Sequence, residues 1–188
     1  SGSLRGKVVA VLGYGKIGQK VCDFLQSFNC TVAVFRKQKG DEESVIHFIP
    51  DLKEVLSTAD YIIVTLPLTS TTKGLIGEKE FAIMKKSACI INVGRGPVID
   101  QEALYIALKN TQIQAAAIDV WYDDFQKTAD SLQFSTRYPF EKLNNIILSP
   151  YRAAIVSGAP HLDDVIKNLQ LFATKGKVIN VVDLEQGY

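Results

Sequence analysis

Three glycines spaced as Gly13-Tyr14-Gly15-Lys16-Ile17-Gly18 constrain this chain more than any other feature. Lys7–Leu12 before them is a run of β-branched and small apolar residues. After them Ile17, Val21, Phe24, Leu25 and Phe28 fall at i, i+4, i+7, i+8 and i+11, one stripe of an amphipathic helix over Lys16–Phe28. A GxGxxG between a strand and a helix is the dinucleotide fingerprint, and each glycine has a physical task. The first permits the tight turn. The second, lacking a Cβ, lets a pyrophosphate approach the backbone. The third lets helix and strand pack closely. The helix N-terminus then presents unbonded N–H groups and a positive dipole end to the phosphates.

The same alternation continues along the chain. Thr31–Phe35, Tyr61–Leu66, Ala88–Val93, Gln114–Ile118 and Asn145–Leu148 read as strands. Asp51–Ala59 with Asp51 as cap, Glu78–Met84, and Gln101–Lys109 behind an Asp100 cap read as helices. Pro160 suits the first turn of a last helix running to about Thr174. The strands are nearly continuous in apolar residues, as strands buried on both faces must be. The expected fold is therefore α/β, a doubly wound parallel sheet of Rossmann type with helices on both faces. Trp121–Leu143 breaks the rhythm. It reads as an aromatic arm packed on its own domain or on a partner subunit.

Composition removes several function classes. A formal net charge of +1 gives no electrostatic case for binding nucleic acid or an anionic membrane. No apolar run is long enough to span a bilayer. Cys22, Cys30 and Cys89 are odd in number and lack CxxC spacing, so they read as packing residues in a reducing, cytoplasmic protein. No cluster has metal-ligand spacing, so no metal is expected. Ser1-Gly2-Ser3 reads as a cloning scar on an excised segment.

The acid that would hold the ribose 2′-hydroxyl belongs at the end of the second strand. Arg36 stands there, eighteen residues beyond Gly18, with Lys37 and Lys39 following. A guanidinium cannot accept from a hydroxyl, but it pairs bidentately with a 2′-phosphate. The cofactor is expected to be NADP or NAD, with NADP favoured. The missing acid also argues against a methyltransferase.

Five segments then fall in order: LRGKVVAVLGYGKIG, TLPLTSTTKGLI, INVGRGPVIDQEAL, AAIDVW and NNIILSPYRA. Together they resemble the NAD(P)-binding domain of D-2-hydroxyacid dehydrogenases, over residues 4–188. The resemblance implies a domain whose substrate-binding counterpart lies outside this chain, and a homodimer. It implies that Gly13, Gly15, Lys16, Ile17 and Gly18 form the pyrophosphate turn, and that Arg36, with Lys37 beside it, meets the adenosine ribose. It places Leu66, Pro67 and Thr72 along the adenine and ribose side, Val93, Gly94 and Arg95 under the nicotinamide, and Asp119 at its carboxamide. Arg95 matches the family's catalytic arginine, which clamps the substrate carboxylate and polarises the neighbouring carbonyl.

Two positions depart from the family pattern. Its acid/base histidine follows "SP", where this chain has Tyr151. Its glutamate five residues past the aspartate of "DV" is Asp124 here, a shorter acid. Formate dehydrogenases, among similar enzymes, also lack that glutamate. Tyr151 could donate the proton in place of histidine, or simply pack. His47 and His161 read as surface or capping residues. Two functions follow. One is an oxidoreductase moving hydride between a nicotinamide cofactor and a small 2-keto or 2-hydroxy acid. The other is a non-catalytic dinucleotide-binding regulatory or sensor module.

Overall fold

The computed structural model describes residues 3–36, 46–122, 136–153, 161–179 and 181–182. Lys37, Asp124 and most of the expected arm, including Phe125 and Phe134, lie outside them. The chain divides into two compact units, Ser1–Pro150 and Tyr151–Tyr188.

The first unit carries seven strands in the order β3-β2-β1-β4-β5-β6-β7. They are β1 (Val8–Leu12), β2 (Thr31–Phe35), β3 (Ile46–Ile49), β4 (Tyr61–Val64), β5 (Cys89–Asn92), β6 (Ala115–Ile118) and β7 (Ile146–Leu148). Every neighbouring pair is parallel. The helices α1 (Lys16–Leu25), α2 (Leu52–Thr58), α3 (Glu78–Ile83) and α4 (Gln101–Lys109) connect them.

Alternation along β1 separates two cores. Val9 and Val11 pack with Val32, Val34 and the Cys22 and Leu25 face of α1. Ala10 and Leu12 point the other way, among Val55 and Leu56 of α2, Phe81 of α3, and Leu104 and Leu108 of α4. Helices therefore cover both faces, and both sets of side chains on β1 must be apolar. The two expected caps are made. Asp51 accepts from the Lys53 N–H at 2.9 Å and Asp100 from the Ala103 N–H at 2.8 Å.

The apolar stripe read on α1 does not turn inward as a unit. Ile17, Phe24 and Phe28 are 58%, 70% and 52% exposed. The inward face is Gly18, Cys22 and Leu25. Gly18 sets that rotation, because a Cβ there would lie 2.2 Å from the Gly13 carbonyl oxygen. Neighbouring positions are turned away by about 100° each. The helix also ends at Leu25. A 3-10 turn, Gln26–Phe28, follows, and Asn29 closes it in the left-handed region at φ 53°.

Strand β3 was not expected. It is a short edge strand, paired on one side to β2. Its sequence, Ile46-His47-Phe48-Ile49, carries a polar residue and runs into Pro50. His47 is exposed in the middle of the strand, so the continuous apolar run that marks the others is broken.

Asp60 ties the opposite end of the sheet together. Its carboxylate accepts from the Val8 N–H at 2.9 Å and from Lys85 Nζ at 3.1 Å, with Lys7 Nζ at 4.0 Å. Burial alone would raise this carboxyl, but the Val8 N–H and the two lysines outweigh it and hold it below its ordinary value. A carboxylate depressed in the folded state stabilises above its unfolded value, and the contribution vanishes as pH falls through the folded one. Asp60→Asn should therefore cost about 1–2 kcal/mol at neutral pH. The gap should close below the ordinary aspartate range, near pH ~3.9. Denaturant titrations of both proteins across that range check this; a gap independent of pH would contradict it.

In the second unit α5 (His161–Lys175) carries Leu162, Val165, Ile166, Leu169 and Phe172 exposed. The expected end near Thr174 falls one residue short. Asn168 holds the following tail, accepting from the Ile179 N–H at 2.7 Å and donating to its carbonyl at 3.2 Å. Among the described residues no helix is long and apolar enough to cross a membrane, and no group of His, Cys, Asp and Glu could hold a metal ion.

Candidate functional site

The order of the sheet reverses between β1 and β4. In open α/β sheets ligands bind outside the carboxyl ends of the strands at such a point. Gly13 follows β1, Thr65 and Leu66 follow β4, Val93 to Arg95 follow β5, and Asp119 follows β6. These residues thus lie in one row along one edge of the sheet.

The glycine turn has the shape its spacing implies. Gly13 adopts φ 103°, and a Cβ there would lie 3.1 Å from Leu66 Cδ2 and 3.2 Å from Thr65 Oγ1. The Thr65 hydroxyl sits 3.1 Å from both the Leu12 and Gly13 carbonyl oxygens and braces the turn from β4. A Cβ on Gly15 would meet nothing within 4 Å. Gly15 caps α1 without a side-chain hydrogen bond, and no acid occupies the first turn. Open space before an uncapped helix N-terminus fits a pyrophosphate. Lys16 and Ile17 are exposed at the same end.

Leu12 pairs with Phe35 in register, and the Gly13 N–H donates to the Phe35 carbonyl at 3.2 Å. Arg36, the next residue, therefore stands beside the turn. Among the described residues no carboxylate forms an ion pair with it. Leu66 and Pro67 begin the loop after β4. Thr72 fastens that loop, donating to the Pro67 carbonyl at 2.7 Å and accepting from the Thr69 N–H at 2.8 Å.

The loop after β5 is clamped by its glycines. A Cβ on Gly94 would lie 2.6 Å from the Leu66 carbonyl oxygen, and one on Gly96 would lie 2.3 Å from that of Trp121. Arg95 between them is exposed, with Nη1 donating to the Gly94 carbonyl at 2.8 Å. Asn92, fully buried, bonds across the same loop.

Asp119 is 8% exposed and accepts a short 2.5 Å hydrogen bond from the Ser149 hydroxyl. The Trp121 indole N–H donates to the Ser149 carbonyl at 3.0 Å, which joins the ends of β6 and β7. Thr65, Asn92 and Ser149 were not picked out from the sequence. Their quoted motifs held them, but the partners of Thr65 and Ser149 lie far along the chain, and the role of Asn92 shows only in its burial. Tyr151 belongs to the second unit, 38% exposed and in the left-handed region at φ 55°.

Residues 1–153 match the family model of the D-isomer specific 2-hydroxyacid dehydrogenase, NAD binding domain. The chain belongs to this family. It is 32% identical over 180 residues to the glyoxylate reductase of Thermococcus litoralis, covering 93% of this chain and 51% of that protein. It is 34% identical over 154 residues to the D-3-phosphoglycerate dehydrogenase of Methanocaldococcus jannaschii, covering 80% of this chain and 28% of that protein. A D-isomer specific 2-hydroxyacid dehydrogenase from Xanthobacter autotrophicus Py2, in complex with NADPH and MES, superposes with a TM-score of 0.83 at 26% identity. That match covers 97% of this chain and 73% of that one. The NAD-complexed family member from Lactobacillus delbrueckii ssp. bulgaricus also gives 0.83 at 26% identity, covering 97% of this chain and 58% of that one. The chain spans about half or less of the length of the glyoxylate reductases and the phosphoglycerate dehydrogenase it matches. The family's fold is the Rossmann-type sheet described above, and its ligand is a nicotinamide dinucleotide.

Proposed function

We propose that the whole protein is a reductase of small 2-keto acids that uses NADPH in preference to NADH. The observation that carries this is the row of strand ends: an open glycine turn, then exposed Arg95 on a clamped loop, then buried Asp119. Gly13, Gly15, Lys16, Ile17 and Gly18 would hold the pyrophosphate, and Leu66, Pro67 and Thr72 the adenosine side. Val93 and Gly94 would support the nicotinamide and Asp119 its carboxamide. The bound nicotinamide supplies the hydride. Arg95 would fix the substrate carboxylate with two parallel hydrogen bonds and draw charge from the carbonyl. Tyr151 would supply the proton, and Asp124, five residues past Asp119, would stand where the family has its glutamate.

Residues 4–188 would form the cofactor half, with the opposing cleft wall in the part of the relatives this chain does not span. Relatives named glyoxylate reductase make glyoxylate the first substrate to test. The full-length protein should oxidise NADPH with glyoxylate or another 2-keto acid. Cofactor binding without turnover of any acid would favour the sensor reading instead.

Arg36 supports the choice of NADP. A 2′-phosphate paired with it should add about 1.5–3 kcal/mol, roughly tenfold to a hundredfold in affinity. Calorimetric titration with NADPH and NADH is expected to show that ratio, and Arg36→Asp should reverse it. Equal affinities in the unaltered chain would contradict the assignment.

Two further properties belong to this reading. The exposed Phe24 and Phe28 of the α1 segment support a homodimer, which sedimentation would reveal as a doubled mass. Free Cys22, Cys30 and Cys89 suit the reducing cytoplasm, testable by fractionation.

A further inference from the structure

The loop that carries Arg95 is held from inside by one side chain. Asn92 is the last residue of β5 and is 0% exposed. Its Oδ1 accepts from the Gly94 N–H at 3.0 Å, and its Nδ2 donates to the Arg95 carbonyl at 3.1 Å. The Gly94 carbonyl in turn accepts from Arg95 Nη1 at 2.8 Å. Asn92 thus grips the main chain on both sides of the peptide from which the guanidinium projects, and that guanidinium rests on the same peptide. The Asn92 carbonyl also accepts from the Asp119 N–H at 3.1 Å. The side chain that sets the loop therefore sits on a residue bonded to the next strand's candidate site residue.

We propose that Asn92 is a positioning residue that fixes the direction of Arg95, and so governs capture of the 2-keto acid carboxylate. This rests on the reading of Arg95 given above. Amide chemistry makes the residue type specific. One end must donate and the other accept. Aspartate has the same shape but lacks the donor, so its second oxygen would face the Arg95 carbonyl oxygen. Serine can make one of the two bonds at most.

The test is a double-mutant cycle in the full-length protein, with NADPH and glyoxylate as probes. Asn92→Asp should lower kcat/KM for glyoxylate about tenfold to a hundredfold, the effect of a small misplacement of the guanidinium. NADPH affinity should fall by a smaller factor than kcat/KM, because aspartate keeps the acceptor for the Gly94 N–H on the nicotinamide side. In an Arg95→Lys background, where the fork is already gone, Asn92→Asp should cost less than about twofold more. The same factor lost in both backgrounds, or no loss in either, overturns the proposal. If Asn92→Asp does not fold, Asn92→Ser is judged by the same cycle. Failure of the underlying reading looks different: Arg95→Lys by itself would then leave glyoxylate turnover intact.

Discussion

Arg95→Lys in the full-length protein is expected to lower kcat/KM for glyoxylate by about 10²–10³, or roughly 3–4 kcal/mol of transition-state stabilisation. Lysine keeps the charge and loses the planar fork, so it contacts a carboxylate as a point charge. The size follows from what Arg95 is asked to do. It would hold the substrate carboxylate in two places and stabilise the charge that develops on the adjacent carbonyl oxygen, a role mutagenesis elsewhere values at about 10²–10³ per donor. NADPH affinity should change little, because Arg95 is exposed on a loop whose position depends on Gly94, Gly96 and Asn92. Steady-state kinetics together with calorimetry checks both halves. A loss of less than about threefold would remove Arg95 from the chemistry.

Tyr151→Phe should lower the rate by about 10²-fold or more while cofactor affinity holds, because general acid catalysis contributes about 10²–10⁴-fold. Phenylalanine keeps the ring and removes the hydroxyl. The backbone adds a reason to look here, since Tyr151 occupies the left-handed region at φ 55° without being glycine. Such conformations cost of order 1 kcal/mol or more and collect at functional sites. Activity kept in Tyr151→His but lost in Tyr151→Phe would show that this position carries the proton donor. An unchanged rate in Tyr151→Phe would leave the packing role and favour the sensor reading.

How much of this was legible before the structure depends on how far each residue's partner lies along the chain. Gly13 to Gly18 act within one turn, so their spacing alone foretold the strand–turn–helix that the structure contains. Asp51 and Asp100 cap helices two and three residues away and were equally readable. The face of α1 was not. Its apolar residues lie on more than one side, and which side turns inward is decided by Gly18 against the Gly13 carbonyl. Ser149 escaped notice because its partner Asp119 is thirty residues away, and Thr65 because it braces a turn fifty-two residues earlier. Nothing local marks such a hydroxyl. Asn92 acts locally, but its meaning depends on burial, which one sequence does not display.

The row of strand ends has an evolutionary consequence. Neighbouring loops are kept in place by main chain against missing side chains, Gly94 against Leu66 and Gly96 against Trp121, while Gly13 leaves room for the Leu66 side chain. A platform fitted together this way transmits any added carbon to the next loop, so the glycines are bound to one another and can scarcely drift. Arg36, just past the end of β2, meets none of these glycines, so the residue there can be exchanged while the platform is inherited whole.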